Sequence, residues 1–222
     1  MDPQIHKALE KCVTAYAGEA QLEVADVRAL LVDAFESDQA FLAKLMQVDA
    51  VFDDHPRFEE LREVTFDLLL MNFFAADVIK LESDYLESEA WEAIEEQTID
   101  RGTELLNLLL YFRECADEDI EPQLSDYLTE FLLVDEDEFQ DEHRIYEPVI
   151  ANQLLVDSSY GEIAKVASKI PENQELADLF YPIISFFYEQ HPSNEEWSAY
   201  TTESTNPAWD NAVYALLIAY HH

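Results

Sequence analysis

The sequence predicts an all-α fold, a bundle or array of about 10–12 helices, on three observations. Only three glycines, Gly18, Gly102 and Gly161, occur in 222 residues. That is too few to supply the positive-φ turns of a many-stranded sheet. Leu, Glu and Ala, which lose little freedom on entering a helix, are abundant. Apolar residues recur at three- and four-residue intervals, and strict alternation never persists beyond a few positions.

The first helix opens at Pro3, just behind an acid, where proline has no amide hydrogen to lose. Its apolar face is Ile5, Leu9, Cys12, Val13 and Tyr16. A second helix is expected over 21–36, with Val24, Val27, Leu30, Leu31 and Phe35 inward. Ser37 or Asp38 would cap a third, which carries Phe41, Leu42, Leu45 and Met46. Pro56 starts a long fourth helix, with Phe58, Leu61, Val64, Leu68, Leu69 and Phe73 near one stripe. A fifth carries Tyr85, Leu86, Trp91 and Ile94, and a sixth Leu105, Leu106, Leu109, Phe112 and Cys115.

The chain then reads as though it begins again. "DPQIHKALEKCV" at 2–13 parallels "EPQLSDYLTEFL" at 121–132, and "LLVD" stands at both 30–33 and 154–157. "LAKL" at 42–45 parallels "IAKV" at 163–166, and "PRFEEL" at 56–61 parallels "PENQEL" at 171–176. "WEAI" at 91–94 parallels "WSAY" at 197–200, each ahead of a closing apolar helix. Helical periodicity accounts for the matched leucines but not for Pro-Gln, LLVD, the Ala-Lys pairs or the tryptophans in the same order. Two tandem, sequence-similar helical repeats are therefore expected, 1–117 and 118–222, packed together as one compact unit. The second would carry Tyr127, Phe131, Leu154, Ile163, Leu176, Phe180, Ile183, Trp197, Val213 and Leu217 inward.

Acids outnumber bases 49 to 12, for a net charge of −37. Such a surface repels nucleic acid and anionic lipid and suits a basic partner. With 49% apolar and 12% aromatic residues, the chain is nevertheless far from the composition of a disordered acidic segment. Its two cysteines, Cys12 and Cys115, fall on apolar helical positions and read as buried free thiols. No apolar run approaches a transmembrane span and no signal peptide is evident, so a cytoplasmic location is expected.

The densest acidic run, 117–147, holds "DEDEFQDEH" at 135–143. Its residues Asp135, Glu136, Asp137, Glu138, Asp141 and Glu142 form the candidate partner-binding stretch. An EF-hand loop would need a central glycine there, which is missing. No histidine has a glutamate three residues before it, as a di-iron bundle requires. His143 with Glu147 and His55 with Glu59 have only the four-residue spacing that helix surfaces produce routinely. Glycines never cluster into a phosphate loop or a nucleophile elbow. "ESEAWEAIEE" at 87–96 places carboxylates beside a tryptophan, and reads as a charged helix face carrying one core aromatic. The aromatics around the fourth helix of each half, among them Phe66, Phe74, Phe180 and Phe186, read as core rather than as a ligand groove.

No catalytic residue, metal site or cofactor is expected. The expected function is non-enzymatic binding of a basic protein partner, as an inhibitor, a nucleic-acid mimic or a chaperone-like protein would bind. One alternative is a scaffold whose acidity serves solubility or a salty environment. The other is a ligand- or metal-binding protein, or an enzyme, whose site assembles from distant helices.

Overall fold

The computed structural model describes residues 1–75, 87–131 and 139–222. Among the described residues all regular structure is helical. The helices are α1 (Pro3–Ala20), α2 (Ala25–Glu36), α3 (Phe41–Asp54), α4 (Arg62–Ala75), α5 (Glu89–Thr98), α6 (Leu105–Glu118), α7 (Leu124–Phe131), α8 (Phe139–Ala151), α9 (Tyr160–Ala167), α10 (Phe180–Tyr188), α11 (Asn194–Glu203) and α12 (Pro207–His221). Short 3-10 turns, Pro56–Leu61 and Gln153–Asp157, precede α4 and α9.

Local chemistry sets several boundaries. Asp2 accepts hydrogen bonds from the backbone N–H groups of Gln4 (2.9 Å) and Ile5 (3.3 Å), so α1 starts at Pro3 as expected. Gln21, at φ 53°, ends α1 in the left-handed conformation, and α2 therefore begins only at Ala25. Ser193 and Glu196 form a reciprocal capping box on α11. Asp119, at φ 56°, closes α6 in the same way as Gln21 closes α1.

Other expectations are corrected. The cap proposed for α3 at Ser37 or Asp38 is absent: α3 starts behind Ala40 without a side-chain cap, and Ser37 Oγ instead donates to Ala34 O, at the end of α2. Pro56 opens a six-residue 3-10 turn rather than α4 itself. Leu30 and Met46 point to solvent, because they fall outside the stripes built on Leu31 and on Leu45. The second "LLVD" lies in a 3-10 turn, where Leu154 is 81% exposed instead of inward. Tyr85 and Leu86, expected in the fifth helix, lie outside the described residues.

Three helices form the centre. Every residue of α4 from Val64 to Asn72 is buried, as is every residue of α10 from Phe180 to Phe186 and of α12 from Trp209 to Leu217. A helix covered on all sides can be apolar on all sides, which is why the aromatics of α4 and α10 run around the whole helix. α12 packs most extensively on α1, so the first and last helices clasp each other, and it also meets α6, α10 and α11. α4 meets α1, α3 and α6. The buried side chains form one cluster that draws on both 1–117 and 118–222. Cys12 and Cys115 are both buried and neither is in a disulfide, and burial pushes the Cys12 thiol up to about 12. Among the described residues no helix is long and apolar enough to cross a membrane.

Candidate functional site: an acidic cleft beside α4 and α5

A cleft lies where the loop 99–104, between α5 and α6, crosses α4. Residues 63, 66, 67 and 70 stand three or four apart and share one face of α4. Glu63 and Asp67 on that face take hold of the loop. Glu63 Oε2 accepts from Gly102 N at 2.8 Å, and Arg101 Nε donates to both Glu63 oxygens at 3.0 Å. Asp67 accepts from Thr103 N at 3.0 Å and from Thr103 Oγ1 at 2.6 Å. Thr103 Oγ1 in turn accepts from Leu105 N at 3.1 Å and starts α6.

The two arginines beside the loop are tied down. Arg101 donates to Asp49 Oδ1 at 3.1 Å and Oδ2 at 3.2 Å, and its guanidinium lies 5.2 Å from the centre of the Phe66 ring. Arg62 donates to Asp49 at 3.0 Å, to Asp53 at 2.7 Å and to Glu59 at 2.8 Å, and lies 5.5 Å from the Phe52 ring centre. The bond to Glu59 leads in holding the Arg62 proton more tightly than usual.

Gly102 has φ +91°, and a Cβ there would stand 2.7 Å from Asp67 Oδ1 and 3.2 Å from the Phe66 ring. Only glycine lets the backbone pass this close to a buried carboxylate. Burial pushes the Asp67 carboxyl up to about 7, against the opposing pull of its two bonds from Thr103. Both Asp67 oxygens are engaged and the residue is 0% exposed. It therefore holds the cleft wall and does not reach a ligand.

The cleft encloses about 490 Å³. Phe66, Leu70, Trp91, Ile99 and Leu106 give it an apolar side, and Asp67, Glu95, Glu104 and Glu175 supply carboxylates. Among the described residues Arg101 is the single base in the lining, and Glu63 and Asp49 already neutralise it. Glu104 is positioned from behind: it accepts from Tyr146 Oη at 2.7 Å and from Asn107 Nδ2 at 3.0 Å. Ile99, 77% exposed, stands among the lining residues, and the Trp91 ring packs 5.6 Å from that of Phe74. A second cavity of about 310 Å³, lined by Arg144, Ile145, Asn173, Gln174 and Glu175, shares Glu175 with the first.

The stretch singled out in the sequence falls mostly outside the description. Asp135, Glu136, Asp137 and Glu138 lie outside the described residues. Asp141 and Glu142 fall within α8, but their side chains are also outside the description. α8 does contribute Arg144 and Ile145 to the second cavity. The Trp91 segment, read as a plain helix face, instead supplies Trp91 and Glu95 to the main cleft, with Trp91 half-buried rather than in the core.

Asp210 plays a role like that of Asp67 in the second half. It is buried, accepts from Ser204 Oγ, and is pushed up to about 6, chiefly by burial. The space beside it is only about 100 Å³. Among the described residues no group of three or more His, Cys, Asp or Glu is arranged to hold a metal ion.

The chain matches no protein family model, no curated protein and no solved structure.

Proposed function

We propose that this chain is a non-enzymatic acidic protein that binds a basic segment of a partner protein, with the α4–α5 cleft as the docking point. One observation carries the reading: among the described residues, this cleft combines an apolar side with the carboxylates of Glu95, Glu104 and Glu175, while Arg101 is already neutralised. An aliphatic stem ending in a positive charge fits both surfaces at once. The net charge of −37 would steer such a partner from a distance. The engagement of both Asp67 oxygens favours binding over acid–base catalysis.

We also read the chain as two tandem helical units, 1–117 and 118–222. α4 packs on α6 as α10 packs on α12, which supports that reading.

The test compares two charge-matched variants. Glu95→Gln, Glu104→Gln and Glu175→Gln together remove three cleft carboxylates. Glu19→Gln, Glu23→Gln and Glu36→Gln together remove three exposed acids of α1, α2 and the loop between them. Binding of a fluorescent peptide of alternating lysine and glycine is measured by anisotropy at ~0.1 M salt, where distant charges are largely screened. The cleft variant is expected to lose roughly tenfold or more in affinity, and the remote variant less than about threefold. Equal losses would mean that the acidity is a general solubility or salt-adaptation property, and would overturn the proposal.

A further inference from the structure

We propose that the loop 99–104 is a proton-operated latch on the cleft, lying shut on α4 while Asp67 carries a proton and releasing more often once Asp67 ionises. The device stands whatever the cleft binds.

Three acids hold the loop, and they differ in what surrounds them. Glu63 accepts from Gly102 N and from Arg101, and Asp49 accepts from the other edge of the Arg101 guanidinium. Each of these two faces a cation and keeps part of its side chain in water, 37% for Glu63 and 28% for Asp49. Asp67 is 0% exposed, and its oxygens meet the neutral donors of Thr103, N at 3.0 Å and Oγ1 at 2.6 Å. Arg101, on the same loop, is closed on Glu63 and Asp49 instead. The charged groups nearest Asp67 are Glu63, one turn earlier on α4, and Glu104, just ahead of α6, and both oppose a negative charge there. Glu95 on α5 and Glu175 share the cleft lining with it. A carboxyl shut away from water with like charges beside it favours its neutral form.

The contact with Thr103 suits that neutral form. A carboxyl O–H on Oδ2 can donate to Thr103 Oγ1, since 2.6 Å is an ordinary O–H···O distance, while Oδ1 goes on accepting from Thr103 N. Thr103 Oγ1 keeps a second lone pair for Leu105 N at 3.1 Å, the bond that starts α6. Loss of the proton puts a negative charge against the backbone of Gly102. Water has no room there, because even a Cβ on Gly102 would stand 2.7 Å from Asp67 Oδ1. Lifting the loop lets water reach the carboxylate and relieves the charge. The loop supplies Ile99, Arg101, Gly102, Thr103 and Glu104 to the cleft, so lifting it removes one wall.

Proton binding sets the sign. In the shut form burial holds the Asp67 carboxyl at about 7, and a lifted loop returns it toward the ordinary 3.8. Between those values the open form binds fewer protons than the shut form. Opening therefore grows as pH rises from about 4 to about 7 and levels off above.

The test is amide hydrogen exchange of the full chain, read by NMR at Gly102, Thr103 and Leu105 and divided by the intrinsic rate at each pH. Opening at these amides is expected to increase roughly tenfold to a hundredfold from about pH 5 to about pH 7, then to level off. Asp67→Asn can keep both bonds to Thr103 but cannot ionise, so the rise should vanish in that variant and persist in Asp210→Asn. If Asp67→Asn does not fold, the native chain decides. Its Asp67 carboxyl carbon and its Gly102 and Thr103 amides should then titrate with one midpoint at about 7. A rise that persists in Asp67→Asn, or a flat response of the native loop, would overturn the latch. So would an equal rise at buried amides of α12 such as Val213, or an Asp67 that titrates in the ordinary carboxyl range.

Discussion

Phe112→Ala is expected to destabilise the protein by about 3–5 kcal/mol, the usual cost of emptying a phenylalanine site in a packed core. Phe112 belongs to α6, is 2% exposed, and its ring centre lies 4.6 Å from that of Phe186 and 6.4 Å from that of Phe187 on α10. It also lies 5.8 Å from the His221 ring at the end of α12. These neighbours sit in the second half of the chain, so the vacated space would be lined from both halves. Because the buried side chains form one cluster, unfolding in urea should remain a single transition with a lowered midpoint. Circular dichroism and tryptophan fluorescence should report the same midpoint. Two separated transitions, only one of them moved by the substitution, would show that the halves have independent cores.

The second large effect concerns acidity. Asp67 and Asp210 stand at about 7 and about 6 in the folded chain, against an ordinary value of 3.8. Their folded forms therefore hold protons that the unfolded chain has released between about pH 4 and pH 7. Stability from these two groups falls as pH rises through that window and recovers as pH falls, by an amount on the order of several kcal/mol in total. Relief of repulsion among the surface acids acts in the same direction. His221 opposes both: burial lowers its pKa, so its contribution grows as pH rises through the histidine range. The difference between native and Asp67→Asn/Asp210→Asn proteins isolates the two carboxyls. Urea midpoints at pH 5 and pH 8 should differ strongly in the native chain, and the gap should shrink in the double variant. An unchanged gap would place the pH dependence elsewhere.

Helices were legible because their signals are local. The Asp-Pro opening of α1, the glycine scarcity and the all-round apolar stretches of α4 and α10 each reflect backbone or burial chemistry within a few residues. The cleft was hidden because its partners are remote. Arg101 meets Asp49 across 52 residues, Gly102 meets Glu63 across 39 and Thr103 meets Asp67 across 36. A 3.6-residue period says which face of a helix is buried, but not which loop will cross it. One signal did stand in the chain: "RGT" at 101–103 brings an isolated arginine and one of only three glycines together in an acid-rich stretch. Leu154 shows the opposite failure. Its "LLVD" matches that of α2, but the chain leaves α8 at Ala151 and tightens into a 3-10 turn, which rotates the leucine outward.

The central claim, that a basic segment docks in the α4–α5 cleft, is tested most directly by hydrogen–deuterium exchange of the native chain with and without a bound lysine–arginine peptide. Added protection should concentrate in 91–106 and 173–175, the segments that carry Trp91, Glu95, the loop 99–104 and Glu175. Protection spread evenly over the acidic surface, or confined to segments away from this cleft, would contradict it.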